Sequence, residues 1–411
     1  MNLVQLPHAA GAPGRTVAAA GTEAERLARL RLTRSENVGP RTFLHLLGRY
    51  GSAQRALEHL PELARRGGRA AAYRACAEDQ AVTEIEQGLA CGARLVMLGD
   101  ADYPATLAAI DSPPPVLWIR GATAFFQRPA VAVVGARNAS ALGMRTARRL
   151  ARELGLAGRV VVSGLARGID AAAHEATLET GTIGVLAGGI DRVYPEENAG
   201  LAHRMIDAGG ALVAECPVGT EPTSRHFPRR NRLISGMAHG VVLIEAAVRS
   251  GSLITARFAL DQGREVMACP GAPEDPRSGG CNQLIREGAA LIRTAEDVLD
   301  ALTAPRALQL SEEGAEFLFD GAGFDADSFA DELSRDEFEA LADFDEEEGE
   351  SDGLLAEQVL DLLGASPVEI DEIARITGSG PSELSLALLE LDLAGRIDLL
   401  PGGLVARADG G

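Results

Sequence analysis

Four short segments carry residue types that can bind an anion. Gly135-Ala136-Arg137-Asn138-Ala139-Ser140 and Ser163-Gly164-Leu165-Ala166-Arg167-Gly168-Ile169-Asp170 each follow a β-branched run and open a helical stretch. Small residues let the backbone approach a ligand closely, and amides at a helix start favour negative charge. Arg137 adds a planar fork suited to phosphate oxygens, and the Ser163 hydroxyl can donate one more bond. Phosphate contacts are therefore expected at Gly135, Arg137, Ser163, Gly164, Ala166 and Gly168. Taken singly, each loop could equally be a tight strand-to-helix turn that binds nothing. Two of them together favour a ligand site.

The third segment, Arg225-His226-Phe227-Pro228-Arg229-Arg230-Asn231-Arg232, places four arginines, a phenylalanine and an asparagine in one connection. Arginines neutralise backbone phosphates, and an exposed Phe227 offers a stacking face to an unpaired base. A duplex hides its base faces, so the combination favours single strands. Arg229, Arg230, Asn231 and Arg232 are expected to meet phosphate. The alternative is a solvated basic face with Phe227 in the core. Pro228 followed by Leu233-Ile234 suggests a helix starting here, with some side chains turned inward. In the fourth segment, Glu245, Ser250, Gly251, Ser252 and Thr255 could orient a phosphate or ribose. Glu245 could equally accept from loop amides or from an arginine.

Nothing in these loops looks built to activate what it binds. The chain has no lysine, so neither a Schiff base nor a phosphate-binding Walker lysine is available. The first loop lacks the second and third glycines of a dinucleotide fingerprint. Asp170, His174 and Glu175 read as a polar helix face rather than an acid/base set. The five cysteines have no metal-ligand spacing and suggest a reduced, cytoplasmic protein. No apolar run approaches a membrane span. We expect no catalytic residues, no metal, no cofactor and no membrane contact.

A net charge of −20 taken whole is hostile to nucleic acid, but its distribution reverses that impression. Residues 311–352 hold 18 acidic residues and one arginine, and residues 353–411 carry a net −7, which leaves 1–310 at +4. The acidity belongs to the tail of the chain, and the body is mildly basic.

The elements that must position these loops follow from pattern. Residues 1–22 are Gly/Ala/Pro-rich and expected to be disordered. Short helices joined by Gly/Pro turns fill 23–94, and the Val38-Gly39-Pro40 break resembles a helix-hairpin-helix turn but reads better as a plain helix connector. From about 95 to 303, β-branched runs at Val131–Val134, Val160–Val162, Ile183–Leu186, Ala211–Ala214, Val241–Ile244 and Glu265–Ala268 alternate with helical stretches. That alternation predicts an α/β fold with a Rossmann-like parallel sheet core. Residues 304–352 form an acidic linker punctuated by phenylalanines, which could be a solvated tether, a docking peptide or a nucleic-acid mimic. Residues 353–409 predict three helices, at Leu354–Leu363, Val368–Ile376 and Pro381–Leu393, and a hairpin: a winged helix.

At these loops a family resemblance appears. GARNAS, SGLARGIDAAAHEA, GGIDRVYPEEN, FPRRNRLISG, EAAVRSGSLITARFALDQGREV and PGAP with CNQLIREGA resemble the DNA-processing protein A (DprA/Smf) family across about residues 95–303. The resemblance implies a dimeric protein that binds and protects single-stranded DNA and helps load RecA recombinase during natural transformation. The family's phosphate pocket would fall on Gly135, Arg137, Ser163, Gly164 and Gly168. Its basic and base-stacking positions would fall on Phe227, Arg229, Arg230, Asn231 and Arg232. Where the family turn reads Gly-Ser/Thr-Arg, this chain has Ala136, which removes one hydroxyl. The winged helix is net acidic and is expected to dock protein rather than DNA backbone. Two other classes compete with this reading. A nucleotide hydrolase on a related sheet would need a Pro-Gly-Gly-x-Gly-Thr loop that is absent, and an inert adaptor would not gather arginines at strand ends.

Overall fold

The strands that surround the candidate loops are continuous apolar runs, as a parallel sheet covered on both faces requires. The computed structural model describes residues 17–66, 73–303, 354–363 and 367–380, and beyond them 383–384, 387–388, 391, 396–400 and 404–407. The chain divides into two units: one runs up to Val82 and includes Val96–Val116, and the other takes Thr83–Leu95 and everything from Leu117.

In the first unit, α1 (Glu23–Thr33), α2 (Pro40–Tyr50) and α3 (Ala53–Arg66) bury Leu30, Leu32, Phe43, Leu46 and Leu60. Thr22 caps α1 by accepting from the Glu25 amide at 3.2 Å. Pro40 stands in the first turn of α2, where its missing amide costs nothing. Residues 17–22, expected to be disordered, are held here: Arg29 donates to the Ala18 carbonyl at 2.8 Å and to the Leu98 carbonyl at 3.2 Å. The remainder of the expected disordered start, residues 1–16, lies outside the described residues.

α4 (Glu78–Ala90), β1 (Ala93–Met97), α5 (Ala105–Ala108) and β2 (Val116–Gly121) lead into the sheet. It continues through β3 (Ala130–Gly135), α6 (Ala141–Leu156), β4 (Val160–Ser163), α7 (Ile169–Ala176), β5 (Thr182–Val185), α8 (Ala199–Asp207) and β6 (Ala211–Ala214). After these come α9 (His226–Gly236), β7 (Gly240–Ile244), α10 (Gly251–Asp261), β8 (Glu265–Ala268), α11 (Gly279–Arg286), β9 (Ala290–Leu291) and α12 (Ala295–Thr303). Among the described residues the strand order is β1-β2-β6-β5-β4-β3-β7-β8-β9. From β6 to β9 neighbouring strands run parallel, with Val131 opposite Val161 and Val133 opposite Val242. Ala147, Leu150, Ala151 and Leu154 of α6 bury against Val131, Val133 and Val161. The sheet differs from the sequence expectation at its margin. Val116–Gly121 is no mere lead-in but pairs antiparallel with β6, Trp118 opposite Ala214. Trp118 is fully buried there, its indole N–H donating to Glu84 at 2.8 Å.

The topology locates the ligand crevice. From β3 the chain builds outward to β4, β5 and β6, then returns to place β7 on the other side of β3. The order therefore reverses between β3 and β7, and ligands of open α/β sheets sit beyond the carboxyl ends of the strands at such a point.

The C-terminal elements are α13 (Leu354–Leu362), β10 (Val368–Glu369), α14 (Ile370–Thr377), β11 (Ile397–Leu400) and β12 (Leu404–Arg407). β10 pairs with β12 and β12 with β11, so Val368, expected in a helix, begins a strand and the helix starts at Ile370. The expected third helix falls largely outside the described residues, as does the acidic linker of 304–352. Among the described residues no helix is long and apolar enough to cross a membrane.

Candidate nucleic-acid interface

Gly135 ends β3 opposite Ile244 of β7, so close that a Cβ on it would meet the Ile244 carbonyl oxygen at 1.8 Å. That approach brings the loops after β3 and β7 into contact. The Glu245 carboxylate reaches the start of α6, accepting from the Ser140 amide at 2.8 Å and from the Ser140 hydroxyl. Ser140 in turn caps α6 by accepting from the Gly143 amide at 3.0 Å. Of the two roles open to Glu245, the structure selects acceptor for loop amides, and a carboxylate already satisfies the positive end of α6. Glu245 holds this post with a left-handed backbone, φ +52, which a side-chain-bearing residue adopts only when its surroundings impose it.

The loop after β4 is tied down just as firmly. The Ser163 hydroxyl, fully buried, donates to the Val133 carbonyl at 2.6 Å. It therefore braces β4 against β3. Gly164 donates its amide to Asp170 at 2.9 Å and accepts from Arg230 on its carbonyl. A Cβ on Gly164 would lie 2.0 Å from the Arg230 guanidinium, which would have to shift to admit it. Ala166 is partly buried, its amide also turned to the Asp170 carboxyl, and Gly168 precedes α7 with φ +68.

Asp170 and His174 are not the solvated helix face their spacing suggested. Both are buried, and only Glu175 faces water, paired with Arg204. Burial raises the Asp170 carboxyl, and Arg230 pulls it back down. Burial pushes His174 down to about 3, which keeps the imidazole neutral, with Nδ1 at 2.6 Å from the Thr182 hydroxyl. Its folded value lies below the ordinary 6.5, so the unfolded chain takes up this proton first and stability falls as pH drops from about 6.5 towards 3. At roughly 1.4 kcal/mol per pH unit, wild type should lose about 2 kcal/mol more than His174→Gln between pH 7 and pH 5. Urea unfolding at the two pH values measures this, and parallel losses in the two proteins would contradict it.

α9 divides the arginines of the third segment. Arg230 is buried, with Nη1 donating to the carbonyls of Gly164 and of Val185, the latter at 2.7 Å. Burial brings its guanidinium down to about 10, Asp170 raises it, and the nearby charge of Arg137 lowers it further. Arg232 is buried too, its Nη2 2.5 Å from both Glu215 oxygens. Asn231 is buried and donates to the Gly251 carbonyl at 3.2 Å, which fastens α9 to the start of α10. Arg230, Asn231 and Arg232, expected to meet phosphate, are thus placed inward and bonded to neighbouring loops and strands. Arg229 and Arg225 face outward.

Phe227 is half-buried, and three groups surround its ring. Arg137 stands over it with Cζ 5.0 Å from the centroid, and Arg230 with Cζ at 5.9 Å. Tyr194 meets it at 5.6 Å between centroids, tilted by 60°. Tyr194 itself is 47% exposed. The sequence reading missed it, although an aromatic in a strand-end loop, inside the GGIDRVYPEEN run, was a usable signal. Ser250 caps α10, its hydroxyl 2.8 Å from that of Ser252. Gly251 is open to solvent and Thr255 is buried.

The arrangement suits a polyanion that carries aromatic groups. Two guanidiniums flank one ring: Arg230 is buried and partly balanced by Asp170, and Arg137 stands half-buried beside it. Tyr194, nearly half exposed, brings a second aromatic ring beside Phe227. Among the described residues no group of three or more His, Cys, Asp or Glu side chains is placed to hold a metal ion. Burial pushes the thiols of Cys269 and Cys281 up to about 12, so neither is a nucleophile at neutral pH.

Comparison with known proteins gives one consistent match. Residues 94–303 fit the family described as DNA recombination-mediator protein A, residues 23–86 a DprA-like N-terminal helix-hairpin-helix domain, and residues 346–403 a DprA winged helix domain. The chain is 39% identical to Protein Smf of Escherichia coli over 305 residues, 74% of either chain. It is 42% identical over 214 residues to DNA processing protein DprA of Bacillus subtilis, covering 51% of this chain and 72% of that one. Among solved structures, DNA processing protein A from Streptococcus pneumoniae matches with a TM-score of 0.56 and 32% identity, over 68% of this chain and 97% of the other.

Proposed function

The chain belongs to the DNA recombination-mediator protein A family, and from that premise we propose that it holds single-stranded DNA at the strand ends without chemical turnover. The observation that carries this reading is the cluster around Phe227. Arg137 and Arg230 stand within 6 Å of its ring centre, with Tyr194 beside it. Arg137 and the outward-facing Arg229 meet phosphates, and the buried Arg230 adds field rather than contact. Phe227 and Tyr194 stack on unpaired bases, an interaction a duplex does not offer. The pocket's own polar groups point inward to hold this surface: Asp170 and Ser163 brace the loop after β4, and Glu245 braces α6.

For the role in the cell we extend this reading to what the family resemblance implies. The protein acts in the cytoplasm as a homodimer, shields incoming single strands and passes them to RecA recombinase during DNA uptake and recombination. The acidic winged helix serves protein contacts. The relatives named DNA processing protein support the DNA-processing part of this reading.

Salt dependence tests the binding reading. Affinity for a labelled single strand should fall with a log–log slope of about −0.7 for each phosphate neutralised, so two to four contacts give a slope between about −1.4 and −2.8. A flat dependence would favour the inert-adaptor class. Hydrolysis of a mononucleotide would favour the enzyme class.

A further inference from the structure

The winged helix rests on the first turns of α6, next to the loop that carries Arg137. Its core residues Val359, Leu363, Ile373 and Val405 form one cluster with Ala141, and Met144 packs against it. Polar contacts frame this apolar seam. Asn138, the residue after Arg137, donates to the Asp361 carboxylate at 3.0 Å. Arg145, one turn further along α6, pairs with Glu372, which also accepts from Arg375 at 3.3 Å. Arg277, fixed by Asp275 at 3.0 Å, donates to the Asp361 carbonyl and to the Leu363 carbonyl at 3.1 Å. It thereby caps the end of α13, where a cation is favoured.

The charges across the seam are opposed in a systematic way. A cleft of about 700 Å³ sets Arg145, Arg148 and Arg149 of α6 against Glu369, Asp371 and Glu372, with Arg375 beside these carboxylates. The winged-helix segment from residue 353 onward is net −7 and meets a helix whose polar face is arginine. Its carboxylates thus engage the kind of donors that a phosphate backbone would engage, beginning one residue from Arg137.

We propose that the winged helix and the backbone of a bound single strand are alternative occupants of the surface formed by Asn138 and the first two turns of α6. In the docked state Asp361 and Glu372 take the donors of Asn138 and Arg145. A strand on Arg137 that extends towards α6 displaces them and gains those two contacts. The inference rests on the single-strand reading of the Arg137 site. It makes the winged helix an intramolecular competitor whose release accompanies DNA binding.

The test uses the full chain and a labelled single strand read by fluorescence anisotropy. Asp361→Asn with Glu372→Gln keeps shape and removes both charges, and the strand should bind about tenfold tighter at low salt. Asp361→Asn alone, at an exposed position, should tighten binding about threefold. In wild type, adding the strand should speed hydrogen exchange in α14 (Ile370–Thr377). Unchanged or weaker binding in both variants, with exchange in α14 unaltered by the strand, overturns the competition while the function stands. If no variant binds a strand and wild type does not either, the function reading falls and the competition with it.

Discussion

Asp170→Ala is expected to cost the fold about 3–5 kcal/mol, the range for breaking one side of a buried charge pair. The carboxylate accepts from the Gly164 amide at 2.9 Å and opposes the charge of Arg230, both in a buried setting. Removing it leaves a buried amide without an acceptor and a buried guanidinium without its counter-charge. Asp170→Asn should fall between the two, because it retains an acceptor but not the charge. Glu175→Ala, on the solvent side of the same helix and paired only with exposed Arg204, should shift stability by less than about 1 kcal/mol. Urea unfolding at pH 7 measures all three. Equal effects at 170 and 175 would mean that the polar-face reading of α7 had been correct after all.

The second large effect is on binding. Phe227→Ala removes the ring that Arg137, Arg230 and Tyr194 share. A lost stacking contact costs about 1–3 kcal/mol per base, so single-strand affinity should fall between about fivefold and a hundredfold. Tyr194→Ala should lose less, since its ring is half exposed, and the double variant should lose less than the sum because the two rings touch. The salt slope should stay near the wild-type value in all three, because no phosphate contact is removed. A Phe227→Ala protein that binds as wild type would place the bases elsewhere.

Period and punctuation carried most of the architecture. The apolar runs at 131–134, 160–162, 183–186, 211–214, 241–244 and 265–268 lie in parallel strands, because fully covered strands need unbroken apolar sequence. Val116–Ile119 is just as apolar, yet its antiparallel pairing with β6 was hidden, since nothing local specifies a partner almost a hundred residues away. Val368-Glu369 is too short to show any period at all.

The site was legible as a set of loops and much less so in its roles. Four arginines in eight residues read as surface charge, because charged side chains are seldom buried unless paired. The partners that allow Arg230 and Arg232 to turn inward are Gly164, Val185, Asp170 and Glu215, which come from other loops, a strand and helix α7. The same holds for Ser163, whose hydroxyl is spent on a neighbouring strand, and for Glu245, which caps a helix begun a hundred residues earlier. Sequence thus identified which loops meet, but it could not separate the residues that hold the surface from those that form it.

The most direct test of single-strand holding is anisotropy of a labelled single strand and its matched duplex, each titrated with wild type and Arg137→Ala. The account predicts that wild type prefers the strand. It also predicts that Arg137→Ala loses about ten- to a hundredfold of that affinity, as expected for one charge-assisted contact worth about 1.5–3 kcal/mol. Equal binding of strand and duplex, or full affinity in Arg137→Ala, would contradict it.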